Sequence, residues 1–263
     1  MPSSAPRAGA AEVYSANVVG YTKLTLQPGL NMLATQFVDV GYPDISVQKV
    51  DGAELLGFNW DTEDVNTTLR TWNSTQQGYV TYAWFGVTDG TDAMEDPSLN
   101  SKWVVSSWDA EAAVALVPGA GYWIETPETS SPTSVIVSGE VVTSNTYSVV
   151  VGPGLNLIAN PFPIKIGIQN VNGSNLPGFD WVKEDVSATI RVWNSIQQGY
   201  VTYGWFGLTD GTDAMEDSSL NSRWVVSSWD AIATKDLEVG EAFWVVLPTS
   251  ATKTEITFTR PNF

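Results

Sequence analysis

The chain has 263 residues, a net charge of −17 and 43% hydrophobic residues, with neither cysteine nor histidine. Acidic residues dominate both halves, which excludes the cationic patches that attract nucleic acid or anionic membrane surfaces. The two missing residue types exclude disulfides, thiolate nucleophiles, imidazole bases and the usual zinc ligands, and no apolar run is long enough for a membrane-spanning helix.

Met1–Ala11 is small and proline-rich, and reads either as the end of a removed leader or as a tail with no fold of its own. Val13–Val19 and Tyr21–Leu26 are short, β-branched and aromatic, and predict two strands meeting near Gly20. Residues 1–20 are therefore expected to form a tail and a strand-like arm. Its residues Val13, Tyr14, Val18 and Val19 suit the addition of a strand to another subunit's sheet. Gln27-Pro28-Gly29 signals a turn, and Leu30–Ala34 resumes as a strand. A second copy follows as Tyr147–Val151, Gly152-Pro153-Gly154 and Leu155–Ala159. Ile45–Leu55 and Ile166–Leu176 are each expected to form one short helix.

One stretch then occurs twice. Trp72–Ala110 and Trp193–Ala231 differ only at Thr75/Ile196, Ala83/Gly204, Val87/Leu208, Pro97/Ser218 and Lys102/Arg223. The chain is thus a tandem duplication whose flanks have drifted further than this window. Within it Gly78–Phe85 predicts a strand with aromatic residues on both faces, either covered on both sides or presenting rings outward. Trp103–Trp108 reads the same way. Gly121–Glu125 and Ala242–Leu247 follow glycine turns, and each copy closes on an alternating strand, Val135–Ser138 and Glu255–Phe258. Each copy offers about seven or eight short strands, a number and spacing that favour an antiparallel sandwich. The expected fold is all-β, with two tandem homologous antiparallel β-sandwich-like domains over residues 21–139 and 140–263.

The runs YSANVVGY (Tyr14–Tyr21), PGLNML (Pro28–Leu33), PGLNLIANPF (Pro153–Phe162) and PGAGYWI (Pro118–Ile124) resemble a group of bacterial secreted and surface β-rich proteins. Val239–Val245 (VGEAFWV) departs from the last motif by losing its proline and second glycine. The resemblance implies an extracellular or cell-surface location and no assigned activity. It carries over no catalytic residue.

Two clusters carry chemistry. Asp89, Asp92, Glu95 and Asp96, repeated as Asp210, Asp213, Glu216 and Asp217, put four carboxylates around a glycine turn. Their mutual repulsion would be relieved by Ca²⁺, a hard cation with oxygen ligands; the alternative is a solvated turn whose Asp side chains cap the backbone. The aromatics Tyr82, Trp84, Trp103 and Trp108, with Tyr203, Trp205, Trp224 and Trp229, and beside them Trp72 and Trp193, read either as core or interface packing or as a platform for sugar rings. Asn66, Asn73 and Asn172 lie in N-x-S/T sequons, here read as turn residues. Without His or Cys no nucleophilic triad is possible, and no phosphate-cradling glycine loop appears. A non-enzymatic structural protein that assembles with itself into a filament, tube or surface layer is the expected function, with a polysaccharide-binding adhesion module as the alternative.

Overall fold

The computed structural model describes residues 19–39, 42, 44–59, 62, 64–88, 96–180, 185–194, 196–209 and 217–261. In the first repeat the strands are β1 (Val19–Leu26), β2 (Gly29–Ala34), β3 (Phe37–Val38), β4 (Ile45–Ser46), β5 (Val50–Asp51), β6 (Thr68–Asn73), β7 (Gly78–Trp84), β8 (Trp103–Val104), β9 (Ala115–Leu116), β10 (Gly121–Thr126) and β11 (Thr133–Val141). In the second they are β12 (Thr146–Val151), β13 (Gly154–Ala159), β14 (Ile166–Gly167), β15 (Val171–Asn172), β16 (Phe179–Asp180), β17 (Asp185–Val186), β18 (Thr189–Asn194), β19 (Gly199–Trp205), β20 (Trp224–Val226), β21 (Asp236–Leu237), β22 (Ala242–Leu247) and β23 (Thr254–Thr259).

The protein is all-β, and its small antiparallel sheets take a four-blade, propeller-like arrangement. Each repeat contributes an inner sheet, β2-β10-β6-β7-β8 or β13-β22-β18-β19-β20. Each also contributes an outer sheet, β1-β11-β3 with β5, or β12-β23-β15. Between the two sheets of a repeat lies its core. In the first repeat Leu24 and Leu26 of β1 and Val135 and Val137 of β11 meet Leu69, Trp84, Tyr122 and Ile124 from the inner sheet. In the second, Val151, Ile256 and Phe258 meet Ile190, Trp205, Phe243 and Val245. The period-2 alternation of the sequence makes this possible, because successive residues of a strand face opposite ways.

The glycine turns are held by a buried asparagine. Asn31 Oδ1 accepts from Gln27 N at 2.8 Å while its Nδ2 donates to Gln27 O at 2.7 Å and Gly29 O at 3.1 Å. Asn156 repeats this with Gly152 N at 2.9 Å, Gly152 O at 2.7 Å and Gly154 O at 3.2 Å. Gly29 and Gly154 have φ of 86° and 84°, a conformation that costs a side-chain-bearing residue a steric clash. The PGLN motif is thus a turn with its own internal staple.

Three expectations need correction. Gly20 does not break the chain into two strands: β1 runs through it from Val19, pairing Val19 with Glu140 and Leu26 with Thr133, while the rest of the first expected strand, residues 13–18, lies outside the described residues. Each expected short helix shrinks to a single 3-10 turn: β4 and β5 flank Val47–Lys49, and β14 and β15 flank Ile168–Asn170. The apolar residues there are spaced for strand pairing, and Ile45 and Val50 enter the core from opposite sides of that turn. Nor does Trp103–Trp108 run as a strand. Only Trp103–Val104 pairs, and Trp108 turns back with φ of 63°, its N–H donating to Val105 O at 2.9 Å.

Candidate interaction site at the repeat seam

The aromatic residues separate into two populations. Trp84, Trp103, Trp205 and Trp224 are buried in the two cores, as is Tyr82; none offers a ring face to a ligand, and packing is their role. Trp103 Nε1 donates to Val50 O at 2.9 Å and Trp224 Nε1 to Val171 O at 2.7 Å, so each indole ties its inner sheet to the outer one. Trp84 and Trp103 sit 5.2 Å apart, as do Trp205 and Trp224. Trp108 and Trp229 pack half-buried over small clusters built on Phe85 and Phe206, and Tyr203 lies half-buried against the second core.

The other population meets on the opposite faces of the inner sheets. Met32, Ala34 and Trp123 of the first repeat pack against Leu157, Ala159, Ala242 and Trp244 of the second, with Trp72 and Trp193 alongside. This seam is reciprocal. Trp72 Nε1 donates to Leu155 O at 2.8 Å, and its counterpart Trp193 donates to Leu30 O at 3.1 Å, Leu30 being the counterpart of Leu155. Ala34 N donates to Gly240 O at 2.9 Å, and Ala159 N donates to Gly119 O at 2.9 Å. Trp72 stands edge-on to Trp244 at 5.0 Å, and Trp193 edge-on to Trp123 at 5.3 Å. A methyl placed on Gly121 would lie 2.6 Å from Ala242 Cβ, its own counterpart. Equivalent residues touch each other only on a two-fold axis, so the two repeats are related by a pseudo-two-fold through Gly121 and Ala242.

The rings extend to the surface. Trp72 and Tyr79 are 4.9 Å apart, as are Trp193 and Tyr200, and Trp244 Nε1 donates to Tyr200 Oη at 3.0 Å. Tyr79 and Tyr200 are each 46% exposed. Partial burial raises both phenols above the usual tyrosine range, and for Tyr79 the neighbouring Tyr200 adds to it. The hairpin tips finish the seam: Gln77 Oε1 accepts from Leu155 N at 2.9 Å and its Nε2 donates to Leu155 O at 3.0 Å. Gln198 lies beside Gly29 in the mirrored position.

Beside Trp193 the second repeat has diverged. Lys235, Asp236, Glu238 and Glu241 stand where the first repeat has Val114, Ala115, Val117 and Ala120. Glu241 Oε2 accepts from Lys235 Nζ at 2.9 Å and from Glu238 N at 2.8 Å. Glu238 and Glu241 border an open hollow of about 370 Å³ that also takes in Lys23, Asn31 and Trp193. A second hollow of about 360 Å³ is also lined by Trp193 and Glu241, and takes in Lys235.

Of the candidate metal ligands, Asp96 and Asp217 are described. Each caps the short turn that follows it, accepting from Ser98 N and Ser219 N at 2.9 Å. Hydrogen bonds from those serines, side chain and then backbone, hold both carboxyls below the usual aspartate range. Asp89, Asp92, Glu95, Asp210, Asp213 and Glu216 lie outside the described residues, as do Val13, Tyr14 and Val18 of the arm. Among the described residues no three acidic groups converge on one point. Val19 is the first residue of β1.

Sequence reasoning passed over Trp123, Trp244, Tyr79 and Tyr200 as site residues. The available signal was the repeated aromatic pair in GYWIE and AFWVV: in a strand one member faces the core and the next must face something else. No family model, curated protein or solved structure matches the chain.

Proposed function

We propose that this protein is a non-enzymatic structural subunit of an extracellular or cell-surface assembly, built by self-association. Two of its features, the tandem duplication and the resemblance of its strand and turn motifs to secreted β-rich proteins, point the same way. The observation that carries the reading is β1. It is an eight-residue strand at the edge of its sheet, with no neighbour on its free side among the described residues. Its outward face shows Val19 68% and Tyr21 74% exposed. Folded proteins usually blunt long apolar edges because they template pairing with another chain. Here the edge belongs to the strand that follows the apolar arm residues Val13, Tyr14 and Val18, which suit pairing on the same edge of a neighbour. In this reading each repeat is a two-layer sandwich-like unit, and the acidic loops take Ca²⁺ that stabilises the assembly.

The test is negative-stain microscopy and light scattering of the full chain and of a chain lacking residues 1–18, each with Ca²⁺ and with EDTA. Particles of regular width from the full chain, lost on truncation and weakened by EDTA, are expected. A full chain that stays monomeric in every condition defeats the reading; normal assembly by the truncated chain defeats the arm.

A second reading, binding of a polysaccharide, is favoured by the hollows that flank Trp193. An aromatic ring with carboxylate, amide and ammonium groups around it is the chemistry that holds a sugar, and the volumes fall within the range of small-molecule sites. Retarded migration in gels containing neutral polysaccharides, abolished by Glu238→Val with Glu241→Ala, would favour it.

A further inference from the structure

We propose that the seam is a dimer interface captured within one chain, and that each repeat can make it equally with the opposite repeat of a second copy of this chain. The reciprocal contacts are those of an isologous interface, in which the same patch serves both sides. Trp72 to Leu155 is answered by Trp193 to Leu30, and Ala34 to Gly240 by Ala159 to Gly119. Nothing in these contacts requires that the two repeats share a backbone.

What keeps them in one molecule is the joint between β11 and β12, residues Val142–Asn145. Val142 already packs against the second core, and Asn145 O accepts from Arg260 N at 2.8 Å, so the joint is short and held at both ends. A tether of this length gives the two repeats an effective concentration of about millimolar, which is why pairing within the chain wins at ordinary concentrations. Shortening a hinge removes that advantage and favours exchange between copies. Two chains exchanging halves reproduce both seams with no new contact. The same exchange left open, with the second repeat of each chain seated on the first repeat of the next, gives a head-to-tail series.

This inference does not depend on the arm, and the test separates the two. In a chain already lacking residues 1–18, Thr143 and Ser144 are deleted, cutting the reach of the joint by about 7 Å. The expected product has twice the chain mass by light scattering, or a ladder of its multiples, with the near-ultraviolet tryptophan dichroism of the parent. Inserting six Gly/Ser residues at the same place should return it to one chain mass. A shortened chain that remains monomeric with the parent spectrum overturns the inference. Should the shortened chain not fold, a protease site is placed between Thr143 and Ser144 of the otherwise intact chain and cut after folding. Two such preparations, one isotope-labelled, are then mixed. Mixed-mass pairs in native mass spectrometry are expected. Halves that separate on cutting, or that stay paired but never exchange over days, overturn it.

Discussion

The axis of the seam can be tested by moving one methyl group across it. A Cβ on Gly121 falls 2.6 Å from Ala242 Cβ and 2.8 Å from Leu157 Cγ. Optimal carbon contacts are about 3.5–4.0 Å, so Gly121→Ala must push the inner sheets apart locally. Overpacking of this kind costs about 1–3 kcal/mol, and removing a strand glycine returns about 0.5–1 kcal/mol of that. Ala242→Gly loses one buried methyl, about 0.8 kcal/mol, and gains a strand glycine at a further 0.5–1 kcal/mol or so. Independent effects would make the double variant worse than either single. If the two residues face each other across the axis, the double variant merely transfers the methyl to the other side and should lie within about 1 kcal/mol of the parent. The residual cost comes from Leu157, which is stiffer than its counterpart Met32. Urea unfolding followed by tryptophan fluorescence reads this directly, and each kcal/mol corresponds to about 2–4 °C in Tm for a chain of this size. A double variant whose loss equals the sum of the singles within about 0.5 kcal/mol would refute the two-fold contact.

Three further outcomes follow from the same geometry. Tyr122 is 1% exposed and its hydroxyl meets no hydrogen-bonding partner among the described residues, while its counterpart is Phe243; Tyr122→Phe should leave stability unchanged or raise it by about 1 kcal/mol, measured by thermal unfolding, and a loss of that size would mean the hydroxyl is satisfied. Asn31→Ala and Asn156→Ala should each cost about 2–3 kcal/mol by chemical denaturation, because each strands a backbone N–H and carbonyl in a turn; two neutral results would show that water replaces the staple. Asp96 and Asp217 have folded-state pKa values below those of the unfolded chain, so their contribution is present above about pH 4 and is lost as pH falls through the depressed values. An acid titration of Tm should therefore flatten at its low end in Asp96→Asn with Asp217→Asn, and an unchanged profile would dissociate these caps from acid sensitivity.

How far the sequence speaks for the structure differs between elements. Strands such as Ala242–Leu247 are legible because alternation and turn residues are local properties, and the structure places that strand with those bounds. Aromatic residues on both faces of Gly78–Phe85 are legible as a choice between cover on both sides and rings presented outward, but not which residues take which course. Tyr82 and Trp84 turn to the core, Ala83 and Phe85 to a separate cluster, and Tyr79 to the seam. The segments Ile45–Leu55 and Ile166–Leu176 mislead because a strand–turn–strand and an amphipathic helix both return apolar side chains to one core within a few residues. The seam itself is illegible from one copy. Its partners lie in the other repeat, and nothing in a strand's own pattern says whether its second face meets solvent, a ligand or a duplicate of itself.

One feature of the outer sheets would set the direction of growth if the proposed assembly forms. β1 and β12 are equivalent edge strands, placed by the pseudo-two-fold on the two repeats of one molecule. An assembly using only these edges would have ends nearly alike and could lengthen from either. The equivalence is broken in two places. The outward face of β1 carries Val19, Tyr21, Lys23 and Thr25, whereas that of β12 carries Thr146, Ser148 and Val150. Moreover β1 follows residues 1–18 of the sequence, while β12 follows the joint from β11. Duplication supplies two edge strands of one design, and divergence gives them different faces. A fibre made from such subunits would have a head and a tail.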